Sequence, residues 1–190
     1  MVNKGHVLLK NYQVWFLTQV GAFVMALMLI IDSKNWKVLT SYSGYFAVGF
    51  LITTLALNPL KKLFPQWMLI TKLNRYRREF GVAAFSFATI HLICFIIKRG
   101  SLIKTLPYAL HPAIAPVLLV GYPIFFLLAI SSNHYSIKKL TFLKWKKLHK
   151  AVYYAEGAII LHMILVGQKL WAAILFVPLI FLQTLRIRKK

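Results

Sequence analysis

Apolar residues run along this chain in long stretches separated by short polar, mostly basic segments. Six stretches are long enough to cross a hydrocarbon core, which takes about 17 to 25 helical residues: residues 14–31, 42–58, 79–97, 113–131, 150–166 and 170–185. The pattern predicts an all-α integral membrane protein, a bundle of six transmembrane helices. The sixth stretch is short, so it must stand upright, reach into the interface or sit in a thinned bilayer. The first lacks the compact basic region and small-residue cleavage site of a signal peptide, and Asp32, Ser33 and Lys34 close it as an ordinary loop. It is expected to remain as a helix. No segment between the stretches exceeds about 20 residues, too few for a soluble catalytic domain. Residues 1–190 therefore read as a single membrane domain.

Composition agrees with this pattern. The chain is 59% hydrophobic and only 14% charged, whereas a soluble domain needs about a quarter of its residues charged. The 24 Lys and Arg against 3 Asp and Glu give a formal charge of +21. Nucleic-acid binding would require those cations on one face of a soluble scaffold, but here they lie between apolar runs, so no nucleic-acid partner is expected. Eighteen basic residues fall on one side (Lys4 and Lys10, those from Lys61 to Arg78, from Lys138 to Lys150, and from Arg186 to Lys190). Six fall on the other: Lys34, Lys37, Lys98, Arg99, Lys104 and Lys169. The positive-inside bias then places both termini in the cytoplasm and runs the third and fifth helices parallel, outward, through membrane lipid. The single Cys, Cys94, excludes an intramolecular disulfide and a Cys-based zinc or iron–sulfur site.

Ionisable residues inside spans are the candidates for chemistry. His91 lies 13 residues beyond Arg78, and His162 lies 13 residues beyond His149. On straight helices both rise about 19 to 20 Å from the inner face. Two imidazoles at one depth on parallel helices can ligate a haem iron from both sides, leaving no open position for oxygen. His149, about 20 Å lower, could hold a second haem. Opposite it the third helix offers Arg77 and Arg78, which suit haem propionates or a phosphate. Fourteen residues return a helix to within about 40° of the same face, as from Arg77 to His91, but 13 miss by about 140°. The fifth helix is therefore expected to be distorted near His149, or His149 faces elsewhere.

The remaining candidates have plainer readings. Glu156 is a mid-membrane acid expected to be neutral and hydrogen-bonded. Cys94 reads as a packing residue, and His6, His111 and His134 as surface residues. Trp15, Trp36, Trp67, Trp145 and Trp171 read as interface anchors, and Gly44, Gly49 and Gly81 as sites of close helix approach.

The segments TTLALNPLKK, RYRREFGVAAFSFATIHL and WKKLHKAVYYAEGAIILH resemble the ferric reductase-like transmembrane superfamily, most closely its bacterial MsrQ branch. The likeness covers about residues 40 to 165 and rests on these pieces occurring together and in order. It implies a haem b protein of the inner membrane that delivers electrons to a periplasmic, molybdopterin-containing methionine sulfoxide reductase of the MsrP type. Quinol or a cytoplasmic flavin reductase would supply them, with quinone or FMN as the donating group. Eukaryotic members carry two histidines on each of the third and fifth helices. This sequence keeps His149 and His162 but only His91, as the MsrQ branch does. The implied metal ligands are His91 and His162 for one haem, with His149 for a second. The competing readings are a proton or ion transporter using Glu156 and the histidines, and a ferric or oxygen reductase acting alone. A transporter would be expected to show an internal repeat, and the lone reductase needs a flavin domain; the sequence carries neither.

Overall fold

A computed structural model describes the backbone of residues 4–188 and the side chains of residues 12–187. The side chains of His6, Lys4, Lys10, Arg188, Lys189 and Lys190, used in the readings above, lie outside the described residues. Every regular element among the described residues is helical, and the chain divides into two compact units.

The first unit contains α1 (Lys4–Ile31), α2 (Trp36–Leu63), α3 (Met68–Leu73) and α4 (Arg77–Arg99, to Lys98), with the chain from Leu182 onward. Its core forms where α1, α2 and α4 present small and apolar residues to one another. Leu29, Leu39, Ile90 and Cys94 make one cluster, and Ala22, Ala47 and Phe87 another. Phe87 stacks on Phe46 and Phe50 with centroids 5.1 and 5.6 Å apart, fastening α4 to α2. Polar side chains in α2 do not stay unsatisfied, because Thr40, Ser43, Thr53 and Thr54 return their hydroxyls to carbonyls one turn back.

The second unit begins at Arg99, as α4 ends. It holds α5 (Leu102–Thr105), a 3₁₀ turn (Leu106–Leu110), a π-helical segment (Pro116–Gly121), α6 (Tyr122–Ile130), α7 (His134–Leu140), α8 (Phe142–His149) and α9 (Val152–Leu165), and continues into α10 (Lys169–Arg188) as far as Phe181. The α9 helix packs along the π segment and α6, with Gly121 against the small side chain of Ala158. Gly167, at φ 87°, closes α9. The amide of Gln168 reaches back to the carbonyl of Met163 at 2.8 Å, the bond pattern of a helix ended by a left-handed glycine.

Among the described residues, four helical stretches are long and apolar enough to cross a membrane: Tyr12–Ile31, Ser33–Leu63, Met68–Arg99 and Lys169–Ile187. Pro116–Ile130 makes a fifth if joined to His134–Leu140, from which it is bent by 97°. The fifth predicted stretch becomes the 14-residue α9, whose rise of about 21 Å is shorter than a hydrocarbon core. The sixth is longer than its apolar residues suggest. At 20 residues, α10 rises about 30 Å and needs no thinned bilayer.

The distortion expected near His149 is present. Residue 149 ends α8, and the chain turns through Lys150 and Ala151 before α9 begins. The amides of Ala151 and Tyr154 reach carbonyls three residues back, at 2.9 and 3.0 Å, rather than four. The rise of about 20 Å assigned to a continuous helix from His149 to His162 therefore does not carry across this break.

Candidate functional site

His91 lies on α4 within the first unit, between the buried Phe87 and Cys94. Its Nδ1 is 2.8 Å from the carbonyl oxygen of Thr40 on α2. A carbonyl oxygen only accepts, so Nδ1 carries the proton and the lone pair of the neutral ring is on Nε2. Gly44, one turn beyond Thr40, faces the same ring: a Cβ there would be 3.1 Å from Nδ1 and 3.3 Å from Cε1.

His162, on α9 in the second unit, repeats the arrangement with a different partner. Its Nδ1 lies 2.5 Å from the carbonyl oxygen of Ala113, which again puts the lone pair on Nε2. The segment before the π helix is irregular: the carbonyl of His111 takes the amides of both Ile114 and Ala115 at 2.8 Å. Pro116, which has no amide hydrogen, then opens the π segment. The main chain is thus not in the α-helical register that would turn each carbonyl along the axis. His111 is exposed, as expected of a surface residue, yet its Nδ1 accepts the Ala113 amide at 3.2 Å.

His149 uses its own helix. Its Nδ1 is 3.1 Å from the carbonyl of Trp145, and the Trp145 ring lies against it with centroids 4.0 Å apart. Ser132 Oγ is 3.4 Å from Nε2, but the same hydroxyl has a carbonyl of Leu128 at 2.6 Å. The shorter contact takes the single hydroxyl proton, so Nε2 keeps its lone pair in the neutral ring. Trp145 is more than an interface anchor, since its Nε1–H donates to the carbonyl of Ser131 at 2.9 Å.

The arginines cluster at the start of α4. Arg77 donates from Nε to the carbonyl of Thr54 on α2 at 2.8 Å, which fixes the guanidinium by one edge. Arg78 lies 3.4 Å from the Glu79 carboxylate. Glu79 is only 4% exposed, and its other oxygen has no hydrogen-bond partner among the described residues. Glu156 is also 4% exposed, on α9 beside Ala155 and Ala158. Cys94 is fully buried, as a packing residue should be. Of the three glycines assigned to close approach, a Cβ at Gly44 would meet His91 and one at Gly81 would meet Thr54, but one at Gly49 would meet nothing within 4 Å among the described residues.

The structure thus gathers His91 with Thr40 and Gly44, and His162 with Ala113 and His111. Sequence reading missed both main-chain partners, because every residue carries a carbonyl and nothing marks the one that is used. Among the described residues no three His, Cys, Asp or Glu side chains are grouped to hold a bare metal ion. The donor set fits haem, which asks for one or two imidazoles per iron, each with its second nitrogen fixed by a hydrogen bond.

Comparison with known proteins gives the same direction. The family profile described as ferric reductase like transmembrane component matches residues 43–161. The protein-methionine-sulfoxide reductase heme-binding subunit MsrQ of Rhizobium meliloti is 32% identical over 155 residues, covering 80% of this chain and 68% of the relative. The subunit of the same name from Brucella anthropi is 31% identical over 170 residues, covering 85% and 71%. The magnetosome protein MamZ of Magnetospirillum gryphiswaldense is 32% identical over 131 residues, which are 67% of this chain but 19% of that longer protein. No solved structure matches the chain. Both the profile, which spans His91 and His149 and ends one residue before His162, and the coverage of the two MsrQ subunits lead to one conclusion: the chain belongs to the ferric reductase-like transmembrane family, in its MsrQ branch.

Proposed function

We propose that this chain is a membrane b-type cytochrome that passes electrons across the bacterial inner membrane to a periplasmic methionine sulfoxide reductase of the MsrP type. His91 and His162 would hold one haem b through their imidazoles, and His149 would hold a second. Arg77 and Arg78 would pair with haem propionates, and both termini are cytoplasmic in a six-span bundle in which α9 crosses with its flanking turns in the interface. Electrons enter from quinol or a cytoplasmic flavin reductase. The name of the two MsrQ relatives, a heme-binding subunit of a methionine sulfoxide reductase, supports the partner and the cofactor.

The observation that carries the reading is the shared state of the histidines. In each, Nδ1–H is donated to a main-chain carbonyl, so each ring is held in the tautomer that offers Nε2 to iron. Haem held by two imidazoles would supply a one-electron couple rather than a site for oxygen. The chain's own part is to fix the rings, keep water from them and set arginine charge at the propionates. The test is a pyridine haemochrome assay with protein quantitation on the purified chain. At least one haem b per chain with a low-spin spectrum is expected, and colourless protein from haem-replete cells would overturn the reading.

A further inference from the structure

We propose that Gly44 is a positioning residue for His91: the absent side chain on α2 is the slot in which the imidazole lies, so that Nδ1–H reaches the Thr40 carbonyl and Nε2 is aimed. The proposal rests on the reading of His91 as an axial ligand.

Three observations carry it. A Cβ on residue 44 would come 3.1 Å from His91 Nδ1 and 3.3 Å from Cε1, at the edge of the ring that makes the hydrogen bond. In the α-helical ladder the Thr40 carbonyl belongs to the amide of residue 44, and a carbonyl has two lone pairs. The second takes His91 at 2.8 Å, so the acceptor and the gap beside it come from the same helical turn. Finally, α4 cannot readily shift to carry the ring aside, because Phe87, Ile90 and Cys94, which flank His91 in sequence, are buried in the core. An added methyl must therefore lengthen the Thr40 bond or rotate the ring. Either change redirects Nε2.

Gly49 supplies the internal control. It lies on the same helix, five residues on, and a Cβ there would meet nothing within 4 Å among the described residues. A helix-propensity effect of Gly→Ala would be the same at both positions, of favourable sign. Only a clash with His91 separates them.

The experiment compares Gly44→Ala, Gly49→Ala and His91→Ala with the unaltered full chain, purified with its haem. It reads haem content, the low-spin signal and carbon monoxide binding to the reduced protein. Weakening a ligand's supporting hydrogen bond typically costs about 10-fold or more in affinity. Gly44→Ala is therefore expected to retain haem about 10-fold less tightly, with part of it high-spin and open to carbon monoxide, while Gly49→Ala behaves as the unaltered protein. If Gly44→Ala matches the unaltered protein while His91→Ala loses the haem, the positioning role is overturned and the ligand reading stands. If His91→Ala keeps its low-spin haem, the ligand reading falls and takes the proposal with it. Should Gly44→Ala fail to accumulate, the apoprotein of Gly44→Ala with His91→Ala decides. Recovery of a folded, monodisperse helical protein traces the defect to the His91 ring, as proposed, and continued failure overturns the proposal.

Discussion

His162 Nδ1 and the carbonyl oxygen of Ala113 lie 2.5 Å apart, a hydrogen bond between α9 and an irregular turn in the same unit. The turn is irregular because its first carbonyl, at His111, takes two amides and because Pro116 contributes none. In a regular helix the Ala113 carbonyl would point along the axis to an amide one turn on. The π segment that follows widens the backbone, and the carbonyl serves a side chain instead. His91 obtains the same bond from a regular helix, by sharing the Thr40 carbonyl beside Gly44. Two different backbone devices therefore give one ring state.

The proposed pairing of His91 with His162 on one haem predicts equal dependence on the two. His91→Ala and His162→Ala should each remove the same low-spin haem, lowering haem content by one equivalent per chain, whereas His149→Ala should spare that haem and remove at most a second. Haem quantitation and low-temperature spectra of the three variants check this. A single low-spin signal lost equally in His149→Ala and His91→Ala would show that the pairing is wrong.

Arg77 should matter to stability beyond its charge. Its Nε–H donates to the Thr54 carbonyl at 2.8 Å in a partly buried setting, and hydrogen bonds to charged groups contribute about 1.5 to 3 kcal/mol. Lysine keeps the charge but has no lateral donor, so Arg77→Lys is expected to destabilise by about that amount. Arg78→Lys should cost under about 1 kcal/mol, since its carboxylate contact is long and its side chain is partly exposed. Unfolding of both variants in one detergent gives the comparison.

Thr141 joins α7 to α8 with φ 63° and ψ 151°, a region that suits glycine and costs other residues about 1 to 3 kcal/mol. Thr141→Gly should therefore stabilise the chain by about 1 kcal/mol, the relief of strain being partly offset by the greater freedom of glycine in the unfolded state. A lower unfolding midpoint would mean that the hairpin is held by Thr141 rather than strained at it.

What the sequence disclosed followed from periodicity. The 13-residue spacing of His149 and His162 cannot place both on one face of a straight helix, and the chain does break between the two, at the junction of α8 and α9. The length of α10 was hidden because Lys169 and Arg186 read as loop, although long basic side chains can extend from a helix end to the interface. The partners of the histidines were hidden for a different reason. Thr40 and Ala113 act through their main chains, so their side chains leave no trace. Gly44 was legible as a site of close approach, but Gly49 looked the same, and only the fold separates the glycine that meets a ring from the one that meets nothing.

Glu156 is the acid whose role the histidines do not explain. It is 4% exposed on α9, between the fully buried Ala155 and the small Gly157 and Ala158. An ionised carboxylate is costly in such surroundings unless a partner compensates it. A neutral carboxyl group can both donate and accept, and a hydrogen bond of that kind contributes about 1 kcal/mol. The alternative is that Glu156 takes up a proton when a haem is reduced. The two roles separate in a redox titration of the unaltered protein and Glu156→Gln from mildly acidic to mildly alkaline pH. Gln preserves shape and hydrogen bonding but cannot ionise. If Glu156 bound a proton on reduction, the midpoint potential would fall as pH rises, and the substitution would flatten that slope. The structural role predicts the same slope in both proteins and a stability change of about 1 kcal/mol or less. A slope present in the unaltered protein and absent in Glu156→Gln would move Glu156 from the packing of α9 into the redox chemistry.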